Sequence, residues 1–127
     1  MVNKVTFEKN IGVKPVISKE NNCRAKLKIR KEHLNSGGIV HGGVITTLCD
    51  VALAGAVNKS LKKEEYCVTV QLNVDFMEPA HLGETIFGYS KLVRRGRTLA
   101  FVEGYLETNT KRKIAEANGI WFIRISS

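Results

Sequence analysis

Long apolar runs are missing from this sequence of 127 residues. None approaches the roughly 20 residues needed to cross a bilayer, so no membrane span is expected. The N-terminal run "MVNKVTFEKNIGVKPV" scatters its charges and has no continuous apolar segment ahead of a small-residue cleavage site. It does not read as a signal peptide, and a cytoplasmic protein is expected. Cysteine is scarce: Cys23, Cys49 and Cys67 are odd in number, far apart and without a C-x-x-C pair. That pattern argues against a disulfide framework and against a zinc site, leaving reduced, packed thiols and no metal. Repeats, low-complexity tracts and linkers are absent too. The length fits one domain over residues 1–127, long enough to bury a core, with only residues 1–12 loosely committed.

Acidic residues are outnumbered, 12 Asp and Glu against 20 Lys and Arg, which leaves a formal net charge of +8. Such an excess favours an anionic partner, whether nucleic acid, an acidic surface or a phosphorylated small molecule. The aromatics form no stacking platform and no nucleic-acid motif is present, so nucleic acid is not the expected partner.

The apolar residues that are present change period along the chain. In "CRAKLKIRK", Cys23 to Lys31, residues Ala25, Leu27 and Ile29 oppose Arg24, Lys26, Lys28 and Arg30, as in a half-buried strand. From about His41 to Lys59, "HGGVITTLCDVALAGAVNK" is rich in Ala and Leu, lacks Pro and is apolar almost all round. That predicts a buried helix. Four strands are predicted after it. "YCVTVQLNVDF" alternates Val68, Val70, Leu72, Val74 and Phe76 against Thr69, Gln71, Asn73 and Asp75. "ETIFGYSKLV" and "RTLAFVEGYLET" meet at "RRGR", whose Gly96 suits a hairpin turn, and "KIAEANGIWFIRI" follows. In that last strand Ala115, Ala117 and Gly119 share a face, small enough for a helix to come close. The whole is an α+β pattern, an antiparallel sheet wrapped around one long central helix.

Several pieces then occur in order. "N-x-x-G-x-x-H-G-G", Asn35 to Gly43, leads into the apolar helix with Asp50 nine residues after His41. "VDFMEPAHLGE" follows, with Pro79, Ala80 and Gly83, and then "GRTLAF". From about residue 30 onward the chain resembles the PaaI-like acyl-CoA thioesterases of the hotdog-fold superfamily. The resemblance implies a hotdog fold, with the helix inside a curled sheet. It also implies a dimer that doubles into a tetramer and an acyl-CoA substrate. No cofactor is implied, since coenzyme A is part of that substrate.

Hydrolysing a thioester requires a group that attacks or activates water, and donors for the charge that builds on the carbonyl oxygen. Gly42 and Gly43 stand at the helix start, where backbone N–H groups lack intrahelical partners and the dipole is positive. The Gly42 N–H is the choice of oxyanion donor, and Gly43 leaves room for a ligand to approach. Asp50 supplies the carboxylate, as general base or as nucleophile through an anhydride. The resemblance adds Asn35, holding the thioester or water, and Thr69, where relatives carry a Ser or Thr reaching the same water.

Spacing adds a claim about assembly. If residues 42 to 50 form one helix, Asp50 lies roughly 12 Å along the axis from Gly42. Reacting atoms must come within about 3 to 3.5 Å. A second copy of the helix, antiparallel across a two-fold axis, places its Asp50 beside the first copy's Gly42 and generates two equivalent sites. A homodimer with shared sites is therefore expected. His41, six residues after Asn35 and nine before Asp50, is also a candidate catalytic-site residue. It lies about half a turn from Asp50 on the helix, so the two are not an intrachain dyad.

Each residue also has a plainer reading. His41 can be a helix cap, Asn35 an Asx turn, Thr69 an ordinary strand threonine and Asp50 a solvated side chain. Arg95 and Arg97 at the hairpin, with Arg94, Lys111, Arg112 and Lys113, suit the phosphates of coenzyme A, yet turns are also charged because they are wet. A non-catalytic acyl-CoA-binding hotdog domain is the alternative function, and Asp50 counts against it. Acyl chain length, and acyl carrier protein against coenzyme A as carrier, stay open.

Overall fold

The computed structural model describes residues 6–126. In chain order these form α1 (Phe7–Asn10), β1 (Lys14–Pro15), β2 (Cys23–Lys28), a 3-10 turn at Lys31–His33, and α2 (Gly42–Lys59). Then come β3 (Glu65–Phe76), β4 (Thr85–Arg95), β5 (Leu99–Thr108) and β6 (Lys113–Ile125). The strands join in one sheet of order β1-β2-β4-β5-β6-β3, every neighbouring pair antiparallel. The sheet curls around α2, so β3 lies at an edge, next to the helix that precedes it.

α2 forms where the apolar run predicts it. His41 stands just outside the first turn with extended backbone, and its Nδ1 accepts the Gly43 N–H, capping the helix. Lys59 in the last turn meets the negative end of the dipole. Leu48, Cys49, Ala52, Leu53, Ala56 and Val57 are buried. Enclosing each large apolar side chain is worth about 1.5–3 kcal/mol, so a helix that is apolar nearly all round is stabilised by a sheet that wraps it.

The tightest approach of helix to sheet differs from expectation. A Cβ on Gly88 of β4 would lie 2.7 Å from the Ala52 Cβ, and one on Gly104 of β5 would lie 3.0 Å from Leu53 Cδ1. Neither leaves space for a side chain. Ala115, Ala117 and Gly119 are buried on one face as expected. At Gly119, however, a Cβ would meet the Gln71 carbonyl and the Trp121 ring at 2.6 Å, so smallness there admits the neighbouring strand.

β3 also breaks its expected alternation. Thr69 pairs with Trp121 and Gln71 with Ile120, which leaves Val70 as an extra residue in a bulge. The bulge changes the phase of the strand. Cys67 packs against the core before it, and Leu72 and Val74 do so after it. Val68 and Val70, which strict alternation groups with Leu72 and Val74, are 45% and 56% exposed instead.

Of the segment read as loosely committed, residues 1–5 lie outside the described residues. From Thr6 onward it is held in place. Thr6 caps α1 through the Lys9 N–H, Val13 is buried, and the Ile11 carbonyl accepts from both His33 and Arg30. Among the described residues no helix is long and apolar enough to cross a membrane.

Candidate active site

Gly42 and Gly43 open α2, but their N–H groups have different fates. Gly43 donates to His41 Nδ1 at 2.8 Å, so His41 takes the capping role. No acceptor among the described residues takes the Gly42 N–H. An unpaired donor at the positive end of a helix is available to an outside acceptor. The Phe76 ring walls one side of it, 3.6 Å from where a Cβ on Gly42 would sit.

The loop ahead of the helix is closed on itself. Leu34 bridges Val40, and Asn35 Oδ1 accepts the N–H groups of Gly37 at 2.9 Å and Ile39 at 3.3 Å. Asn35 is thus an Asx turn, and its Nδ2 has no protein partner among the described residues. Gly38 turns the loop with φ of 84°, a region glycine enters without steric cost.

One residue here went unnoticed in the sequence. His33 is buried, its Nδ1 accepts the Arg30 N–H at 2.9 Å, and its carbonyl accepts the His41 N–H at 2.8 Å. No periodicity or spacing marks it. Its one sequence signal is its place two residues before Asn35.

Asp50 is half-buried on the side of α2 that faces β3. Thr69 Oγ1 donates to its Oδ1 at 2.9 Å. Two thiols flank this carboxylate. Burial pushes the Cys49 thiol up to about 12, and the Asp50 charge pushes the same way. Burial, then Asp50, also raises the Cys67 thiol, whose Sγ donates to Asn58 Oδ1 at 3.4 Å. Raised thiols stay protonated near neutral pH and make poor nucleophiles.

The fold brings Asp50 and Thr69 together and holds the Gly42 N–H apart from them. α2 runs unbroken from Gly42 to Lys59. The step from Gly42 to Asp50 is therefore about 12 Å along one axis.

The hairpin arginines divide as well. Arg95 Nη2 donates to Glu65 Oε1 at 2.6 Å and Nη1 donates to the Gly96 carbonyl, so its guanidinium braces the hairpin against the start of β3. The Lys62 N–H, then Arg95, outweigh partial burial and hold the Glu65 carboxyl below its ordinary value. Arg97 is exposed and has no ion pair among the described residues. At the next turn Arg112 Nη2 bonds both Glu84 oxygens, at 2.7 and 2.8 Å, and Lys113 bonds Glu116 at 2.8 Å. Among these basic residues Arg94 and Arg97 present the open cations.

Comparison with known proteins identifies the family and the fold. The profile of the Thioesterase superfamily matches residues 37–115. Human acyl-coenzyme A thioesterase 13 is 30% identical over 109 residues, covering 85% of this chain and 77% of that one. Against some other curated relatives the chain spans less than two thirds of their length, 64%, 63% and 53% for three of them. A Bacillus halodurans protein solved with CoA superposes with a TM-score of 0.76 at 28% identity, covering 79% of this chain and 70% of that one. The PaaI protein of Escherichia coli shares the fold, with a TM-score of 0.83 at 20% identity over 94% of this chain and 85% of that one. The curled sheet around one long helix is the hotdog fold of the thioesterases, and by its sequence this chain belongs to the thioesterase superfamily.

Proposed function

We propose that this chain is an acyl-CoA thioesterase working as a homodimer, each site combining Asp50 and Thr69 of one copy with the Gly42 N–H of the other. The Asp50–Thr69 hydrogen bond at 2.9 Å carries the reading. The hydroxyl occupies Oδ1 and leaves Oδ2 for chemistry. As general base, Oδ2 takes a proton from the water whose oxygen bonds the thioester carbon. As nucleophile, Oδ2 bonds that carbon itself and water later opens the anhydride. Either way the carbonyl oxygen takes on negative charge before the C–S bond breaks and coenzyme A leaves as a thiolate that gains a proton. The Gly42 N–H meets that oxygen. His41 holds the donor's helix end, Gly43 leaves the approach clear, and Asn35 Nδ2 orients the substrate.

The choice of acyl-CoA draws support from the name of the human relative and from the Bacillus protein solved with CoA. The dimer draws support from β3. An edge strand of 12 residues without Lys, Arg or Pro, exposing Val68, Val70 and Phe76, presents an open template for another strand. Antiparallel pairing across a two-fold sets the Glu65 end of one β3 beside the Phe76 end of the other. The hairpin that Arg95 ties to Glu65 then lies on the side of the second copy's helix start. Arg97, with Arg94, is placed there for the phosphates. A tetramer would use the outer sheet face, where Leu99 pairs with Phe122 and Phe122 with Val68.

Thiol release from short, medium, long and aromatic acyl-CoAs tests the reading against Asp50→Ala and Asp50→Asn. Wild type is expected to release CoA and both variants to lose about 10²–10⁴-fold in kcat. Binding of acyl-CoA without turnover would instead identify a non-catalytic acyl-CoA-binding domain.

A further inference from the structure

We propose that His33 is a positioning residue for the oxyanion donor, resting on the reading of Gly42 given above. A buried imidazole needs partners for both ring nitrogens, and His33 is 1% exposed. Nδ1 accepts the Arg30 N–H at 2.9 Å and so carries no proton. The ring proton is on Nε2 and goes to the Ile11 carbonyl at 2.6 Å. One neutral tautomer thereby joins the end of β2, the segment after α1 and the 3-10 turn. Arg30 closes the same turn in return, its carbonyl accepting the His33 N–H at 3.0 Å.

The other side of His33 leads to the site. Its carbonyl accepts the His41 N–H at 2.8 Å, and the His41 carbonyl accepts the Val44 N–H at 2.9 Å. The His41–Gly42 peptide is planar and trans, so a fixed carbonyl points the Gly42 N–H the opposite way, out of the helix end. Direction is what an oxyanion donor must have. Donors act at 2.7–3.1 Å from the developing charge, and a misplacement of about 1 Å can cost on the order of 100-fold. His33, 1% exposed, offers no surface for a substrate to touch. It acts through His41.

Steady-state kinetics on the acyl-CoA that wild type cleaves fastest, with His33→Phe, His33→Asn and His33→Gln in the full chain, test the assignment. His33→Phe should lower kcat about tenfold or more and change KM by less than about twofold, because the lost interaction belongs to the transition state. The Asn amide oxygen reaches the place of Nδ1 and keeps the Arg30 bond, so His33→Asn should recover most of kcat. Gln does not keep that bond and should stay low. If His33→Phe does not fold, the Asn and Gln pair decides.

The same substitutions in a Gly42→Pro background separate the two readings. Proline removes the donor, so a residue that acts only through it should then cost about twofold or less. Equal kcat for Asn and Gln, a loss confined to KM, or an undiminished loss in the proline background overturns the positioning role. If Gly42→Pro is as active as Gly42→Ala, the oxyanion reading fails and takes this assignment with it.

Discussion

Thr69 reaches Asp50 at 2.9 Å because the strand between Thr69 and Gln71 is bulged. Without the bulge, the inward set Leu72 and Val74 would continue through Val70 and Val68. Thr69 would then point to the outer face. A bulge next to an active site re-aims one side chain while leaving the rest of the ladder intact. Hydrogen bonds to a charged group are worth about 1.5–3 kcal/mol, so Thr69→Val should lower kcat by roughly 10- to 100-fold. Thr69→Ser, which keeps the hydroxyl, should recover much of it. Equal kcat for Val and Ser would make Thr69 an ordinary strand residue.

Gly42→Pro tests the oxyanion donor directly. Proline is favoured at the first helical position, where it deletes an N–H with no intrahelical partner. The extended backbone of His41, φ −62° and ψ 138°, suits a residue before proline. Gly42→Ala adds a side chain but keeps the N–H, so the gap between the two isolates the donor. That gap should be about 10²–10³ in kcat.

Mixing two inactive variants tests the shared site. In a heterodimer of Asp50→Ala and Gly42→Pro chains, one site has both wild-type groups and the other has neither. Random exchange should therefore restore about a quarter of wild-type activity. No recovery, in a mixture shown by mass to contain heterodimers, would place Asp50 and Gly42 in one chain's site.

Val70→Lys puts a charge on the exposed edge of β3, a common natural guard against strand pairing. Light scattering should show a shift toward the monomer mass, and activity should fall with it. A monomer of full activity would remove the interface from the mechanism.

Glu84 predicts the acid side of the stability curve. Burial pushes its carboxyl up, but Arg112 and the His81 N–H outweigh this and hold it below the ordinary 4.5. A carboxyl with a lowered folded pKa contributes stability that is present above the unfolded value and lost as pH falls through the folded one. Glu84→Gln should thus lower the melting temperature at neutral pH, by up to about 1 kcal/mol in stability. The difference from wild type should shrink below pH 4.5. A gap that is the same at low and neutral pH would mean that the charge is not what Glu84 contributes.

The sequence by itself determined the helix, its start at the paired glycines and the eight-residue spacing between Gly42 and Asp50. Those depend on local capping, apolar period and helix rise, all of which act over a few neighbouring residues. It determined β2 to β6 too, since alternation and turn residues are equally local, but not the two-residue β1, which exists only by pairing with β2. The phase of β3 was decided elsewhere. A bulge forms when a strand must match β6 on one side and the helix on its face, and that compromise leaves no mark in "YCVTVQLNVDF". Arg95 was legible as a turn cation, but only the meeting of the hairpin with Glu65, 30 positions away, turned it into a brace. His33 became a tie between chain segments only when folding buried it against the Ile11 carbonyl. Burial and partners over long sequence separations are properties of the packed chain, and they decided which of the polar residues are tied into the fold, as Arg95 and His33 are, and which stay open, as Arg97 does.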